Sequence, residues 1–194
     1  MLGMGRWDPD ARGRLAEAAL ELYTERGFEQ TTVAEIAERA GLTERTFFRH
    51  FADKREVLFS GSAALEQLLV DTVDHAPKSA TPIEAVAAAL EASTAIFEPR
   101  RQYAARRYAV ISANPELQER ELIKMASLAA AMADALRRRG VRAPAAALTA
   151  EAGTAVLRIA FERWVEPSNK RPLRELIRTS LRDLRKELAG TAVH

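Results

Sequence analysis

The stretch "TTVAEIAERAGLTERTFFRHFADK", residues 31–54, decides the fold. It opens with Thr32-x-x-Glu35, a capping box in which a hydroxyl and a carboxylate each satisfy an amide left without a partner in the first turn of a helix. Gly41 follows one short helix later, where a left-handed residue ends a helix without steric cost. Thr43 then stands as the cap of the next helix. The pattern predicts a helix over about 33–40, a tight turn, and a helix over about 44–50, which together form a helix-turn-helix whose second helix fits the major groove of DNA.

A helical wheel tests that reading. With Phe47 at zero and about 100° per residue, Phe51 falls about 40° away, while Arg45 and Arg49 fall on the opposite side at about 160° and 200°. Phe47 and Phe51 are therefore expected to anchor the helix, and Arg45 and Arg49 to lead outward beside Thr46 and Phe48. Arginine can bridge guanine O6 and N7, and threonine methyl or phenylalanine carbons can touch a thymine methyl. Thr32 and Thr43, at helix N-termini, suit phosphate as well as simple capping. Lys54 suits a phosphate clamp that sets register, leaving Arg45, Thr46 and Arg49 to read sequence. His50 borders the packed side of the wheel, where a structural histidine is equally at home.

Working outward, Asp8-Pro9 predicts a helix over about 10–26 that ends at Gly27, and Asp53-x-x-Glu56 predicts a fourth helix from about 54 toward His75. Thr81-Pro82-x-Glu84 starts a new series after the linker "HAPKSATP", with later starts at Asn114-Pro115, Ala143-Pro144 and Asn169. The expectation is an all-α protein of about nine helices, with no strand and no internal repeat. Residues 1–55 form the helix-turn-helix domain, helix four connects, and 56–194 form the second domain.

The run from Gly13 to Leu58, with "AALELYTERGFEQTTVAEIAERAGLTERTFFRHFADKREVL" nearly unbroken, resembles the N-terminal domain of TetR-type transcriptional regulators. The resemblance covers roughly a quarter of the chain. It implies a homodimer that binds a double-stranded DNA operator through three-helix units, with a C-terminal helical domain holding a small-molecule effector pocket and the dimer interface. The family's DNA-contact positions correspond here to Thr32, Thr43, Glu44, Arg45, Thr46, Phe48, Arg49, His50 and Lys54. Phe48 departs from the pattern, because many members carry a tyrosine there whose hydroxyl reaches a phosphate.

Beyond residue 60 the evidence is compositional. Two apolar stripes suit either a dimer interface or one subunit's core: Gly153, Val156, Ile159, Ala160 and Trp164, then Leu173, Ile177, Ser180, Leu181, Leu184 and Leu188. The resemblance favours the interface reading. Pocket candidates are Phe97, Tyr103, Arg106, Arg107, Tyr108, Met125, Met132, Phe161 and Trp164, with core packing as the competing reading. In "EPRRQYAARRY" the arginines Arg100, Arg101, Arg106 and Arg107 suit either an anionic acyl or CoA-type effector or a solvated face; a neutral hydrophobic effector is the alternative.

Other classes are weakly supported. The net charge is +2, and residues 1–60 hold 9 Lys and Arg against 11 Asp and Glu, less basic than a non-specific architectural DNA binder requires. His50, His75 and His194 are scattered, no phosphate loop or nucleophile elbow is present, and neither catalysis nor a metal or cofactor is expected. Cysteine is absent, and the apolar run at 80–97 is broken by Glu84 and Glu91, so a cytoplasmic protein without a membrane span is expected.

Overall fold

A computed structural model describes residues 10–190. Asp8, Pro9 and His194, which entered the sequence reading, lie outside the described residues. Among the described residues there are nine α-helices and no strand: α1 (Ala11–Arg26), α2 (Val33–Arg39), α3 (Glu44–His50), α4 (Ser62–Asp74), α5 (Pro82–Phe97), α6 (Arg101–Ser112), α7 (Pro115–Arg138), α8 (Ala143–Val165) and α9 (Leu173–Leu188). Two 3₁₀ turns, Glu56–Phe59 and Glu98–Arg100, complete the list of helical elements.

The chain divides into two compact units. One comprises residues up to Gly61 together with Arg106–Leu117, so it runs past residue 55 and takes in the later residues of α6. In it α1 packs against α2, α3 and the 3₁₀ turn. Its buried apolar residues include Leu15, Leu22, Tyr23, Phe28, Ile36, Phe47, Phe51, Ile111 and Leu117.

The expected fourth helix from about 54 is a correction. The carboxylate of Asp53 does accept from the amides of Arg55 and Glu56, at 2.8 and 2.9 Å, as a cap should. Only a 3₁₀ turn follows, and α4 begins at Ser62. Val57, Leu58 and Phe59 are all buried, so this segment is enclosed on several sides and cannot keep the open face of a surface helix. The Leu58 carbonyl is turned to the Arg107 guanidinium, 2.6 Å away, and that guanidinium also lies over the Phe59 ring.

The second unit holds Ser62–Ala105 and residues from Gln118 onward. In it α4 packs on α5, α5 on α8 and α9, and α8 on α9. The core runs through Leu69, Val86, Leu90, Met132, Leu136, Leu157, Trp164 and Ile177. Close packing is enforced at Gly153, where a Cβ would stand 2.4 Å from the Val86 side chain. A Thr81–Glu84 capping box with Pro82 starts α5. Toward α9, Glu91 of α5 takes both arms of Arg178 at 2.9 and 2.6 Å, and Glu98 of the 3₁₀ turn that follows accepts from the Arg174 amide.

Candidate nucleic-acid interface

The helix-turn-helix is built from local bonds. The Thr32 hydroxyl accepts from the Glu35 amide at 3.2 Å, and the Glu35 carboxylate accepts from the Thr32 amide at 2.8 Å. Those bonds to the Thr32 backbone and hydroxyl hold the Glu35 carboxyl below the usual range, so the box stays ionised and closed. At the other end of α2, Gly41 has φ +66, its amide bonds the Glu38 carbonyl, and the Leu42 amide bonds the Ala37 carbonyl at 2.8 Å. That is the Schellman closure, which turns the chain sharply into α3. The Thr43 hydroxyl accepts from the Thr46 amide at 3.2 Å to start α3.

On α3 the two sides separate cleanly. Phe47 and Phe51 are buried, while Arg45 and Arg49 are exposed and Phe48 is 56% exposed. Glu44 is exposed in the first turn, and Thr46 is half-buried with its hydroxyl 3.0 Å from that of Thr43. His50 is half-buried, and its Nε2 has no hydrogen-bond partner among the described residues.

The cations of this unit are mostly spent internally. Arg12 donates to the Ser60 carbonyl and lies over Phe51, and Arg14 donates to the Ala40 carbonyl at 2.6 and 3.2 Å. Arg26 pairs with Glu35, Arg39 with Glu21 and Glu25, and Arg55 with Asp53. Arg45 and Arg49 alone among the Lys and Arg side chains of residues 10–61 have no partner among the described residues. Among the described residues 10–61, the unpartnered positive charge is thereby concentrated on one face of α3.

Lys54 differs from the phosphate clamp expected of it. Its ammonium donates to the carbonyls of Phe28, Thr31 and Glu29 at 2.9, 3.1 and 3.3 Å and stands 4.4 Å from the Phe28 ring centroid. An ammonium has three donors, and all three point into the loop between α1 and α2. Tyr23 completes this anchorage by donating to the Lys54 carbonyl at 2.6 Å. Sequence reasoning missed Arg14 and Tyr23, because neither belongs to a local pattern: their partners lie 26 and 31 residues away.

Of the pocket candidates, Arg106, Arg107 and Tyr108 belong to the first unit. Arg106 pairs with Glu17 and Arg107 donates to the Leu58 carbonyl. Arg101 instead caps the end of α8, donating to the carbonyls of Trp164, Glu166 and Asn169 at 2.9, 3.2 and 2.8 Å. Arg100 lies over the Tyr103 ring, 4.5 Å from its centroid. What does come together is aromatic: Phe97 and Phe161 centroids are 5.3 Å apart and Phe161 and Trp164 5.6 Å, on a core that Met125 and Met132 share.

The supposed interface stripes are mostly core. Val156, Ala160, Leu173, Ile177 and Leu181 are buried within the second unit because α8 and α9 turn that side toward α5 and each other. Leu184 packs at the core's edge. Only Ile159, 43% exposed, and Leu188, 79% exposed, remain on the surface, joined on α8 by Leu148.

Two family models match the chain: "Bacterial regulatory proteins, tetR family" over residues 15–60, and "MftR C-terminal domain" over residues 80–189, more than half of the chain. The chain belongs to the TetR family. TetR regulators are non-enzymatic DNA-binding transcriptional regulators. Among curated relatives, the regulator TcmR of Streptomyces glaucescens is 38% identical over 81 residues, which are 42% of this chain and 36% of TcmR. The regulator MftR of Mycobacterium tuberculosis is 32% identical over 118 residues, 59% of this chain and 58% of MftR. These matches thus span about a third to just over half of those two proteins. Among solved structures, a TetR-family regulator from Syntrophomonas wolfei shares the fold at TM-score 0.66 and 16% identity, covering 95% of this chain and 98% of that one. FadR of Bacillus subtilis, solved in complex with stearoyl-CoA, shares it at TM-score 0.62 and 18% identity, covering 94% and 99%. Among the described residues no helix is long and apolar enough to cross a membrane.

Proposed function

We propose that this TetR-family chain is a ligand-released repressor that binds a pseudo-palindromic operator as a homodimer. The observation that carries the reading is the pair Arg45 and Arg49, left without internal partners on the outer face of a helix anchored by Phe47 and Phe51. In this reading α3 enters the major groove, and Thr32, Thr43, Glu44, Thr46, Phe48 and His50 supply the surrounding contacts. Residues to about 55 read DNA, and the rest of the chain binds effector and dimerises. Two-fold symmetry puts the recognition helices about 34–36 Å apart, one helical turn of DNA. The dimer surface is the outer side of α8 and α9, at Leu148, Ile159 and Leu188.

The effector enters the second unit through its aromatic and methionine-lined side, around Phe97, Phe161 and Met125, and carries an acyl tail. The stearoyl-CoA held by FadR and the apolar character of that cluster support this reading. Effector binding favours a dimer conformation whose recognition helices no longer match successive grooves, which lowers operator affinity by linkage.

Selection of duplexes from a genomic DNA pool, followed by salt-titrated affinity, tests the reading. A palindromic motif is expected, with Arg45→Ala costing about 1–3 kcal/mol on it if Arg45 bridges a guanine, and with acyl-CoA thioesters releasing the complex. Mass spectrometry of the denatured sample reveals any co-purified ligand. No enrichment by ligand-free protein overturns the DNA-reading proposal, and release by neutral hydrophobic compounds alone overturns the effector class.

A further inference from the structure

Phe48 is an apolar side chain where a solvated helix would place a polar one. Of the large apolar residues left exposed among the described residues, it is the one in the first unit. Its ring is not free to wander: it stands edge-on to Phe47 at 5.5 Å and 83°, and Phe47 is fully buried. Along α3 it follows Arg45 by three residues and precedes Arg49 by one, so it shares the outer surface with both free guanidiniums.

The side chain has no polar atom. A tyrosine there would offer a hydroxyl to a phosphate; Phe48 offers only carbon. The major groove presents donors and acceptors on every base pair but only one apolar group, the C5-methyl of thymine. An aromatic side chain on the same outer surface as two unpartnered arginines, once that surface enters the groove, therefore has one complementary partner there.

We propose that Phe48 is a specificity-determining residue that reads a thymine C5-methyl in each half-site, next to the base pairs engaged by Arg45 and Arg49. The proposal rests on the DNA-reading function above. It predicts that the selected half-site contains an essential thymine whose methyl group, and not its pairing, is what the protein requires.

The test uses the full chain and its selected operator. Each thymine is replaced in turn by deoxyuridine, which keeps base pairing and removes only the methyl. One position per half-site is expected to lose about fourfold in affinity, the size of one buried methyl or methylene. Phe48→Ala is expected to bind the thymine operator more weakly and to become indifferent to deoxyuridine at that position alone, while Phe48→Leu keeps part of the sensitivity. Because Phe48 is exposed, an unchanged circular dichroism spectrum is expected for both variants. Deoxyuridine losses that are the same in wild type and Phe48→Ala would overturn the proposal, as would equal weakening of operator and scrambled DNA. Failure of the underlying function shows differently: no duplex is enriched at all, or Arg45→Ala and Arg49→Ala leave operator affinity unchanged.

Discussion

Replacing Lys54 by methionine keeps the aliphatic stem and removes the ammonium, and so separates two roles. In one, Lys54 grips DNA phosphate. In the other, it pins the α1–α2 loop through the carbonyls of Phe28, Thr31 and Glu29. Two of those bonds, at 2.9 and 3.1 Å, are well formed; hydrogen bonds from charged donors are worth about 1.5–3 kcal/mol each, and a half-buried lysine belongs at the low end. The contact over the Phe28 ring adds about 0.5–1 kcal/mol. Released carbonyls regain water, so the net loss is set below the sum, at about 2–3 kcal/mol. Denaturant unfolding followed by circular dichroism measures it, with faster amide exchange at residues 28–37 locating it. Salt-titrated operator binding, measured where both proteins are folded, gives the other half. A lost phosphate contact lowers the slope of log affinity against log salt by about 0.9 per site. The internal pin leaves the slope unchanged. A reduced slope with unaltered stability would refute the pin and restore the clamp.

Three further perturbations follow from the same geometry. Arg14→Gln removes the guanidinium that holds the Ala40 carbonyl at the α2–α3 turn; specific operator affinity should fall about three- to tenfold, against the about tenfold that 1.4 kcal/mol represents, while scrambled DNA binds as before in fluorescence anisotropy. Ile159→Glu should weaken self-association by roughly 30-fold, since about 1 kcal/mol of burial is lost twice in a two-fold dimer, and light scattering should show monomers with native helical content; Val156→Glu, at a buried position, should instead unfold the second unit. The hydrogen bonds from Arg178 hold the Glu91 carboxyl below its ordinary range, so the unfolded chain binds the proton more tightly. That contribution is complete above about pH 4.3, the ordinary glutamate value, and disappears as pH falls through the lower folded value. Arg178→Met should cost about 0.5–1 kcal/mol at neutral pH, as a largely exposed pair does, and flatten the acid-side decline in urea titrations.

What was legible in the sequence is what neighbours in the chain decide. The Thr32–Glu35 box, the Gly41 turn and the Thr43 cap all act within five residues, and each formed as its spacing required. The wheel of α3 was equally legible, because a buried face and an exposed face differ in chemistry there: phenylalanines on one side, arginines on the other. On α8 that contrast fails. Val156 and Ala160 face the core, while Ile159 and Leu148 face outward, and all four are apolar, so periodicity revealed a stripe without saying which side was covered. The arginines were least legible, for a physical reason. Arg14, Arg101 and Arg139 each reach carbonyls at the end of a helix remote in the chain, those of α2, α8 and α4 respectively. A helix end leaves carbonyls unpaired and carries partial negative charge, so a long cation from another helix is well matched to it. Such a cation looks, in sequence, like one that awaits an anionic ligand. The distinction is made only when the helix ends are placed in space, and once they are, the Lys and Arg side chains without a partner among the described residues 10–61 shrink to Arg45 and Arg49. The acidic balance of residues 1–60 is therefore compatible with a local basic face: Glu21, Glu25, Glu35 and Asp53 neutralise cations away from α3 and leave Arg45 and Arg49 without an ion-pair partner among the described residues.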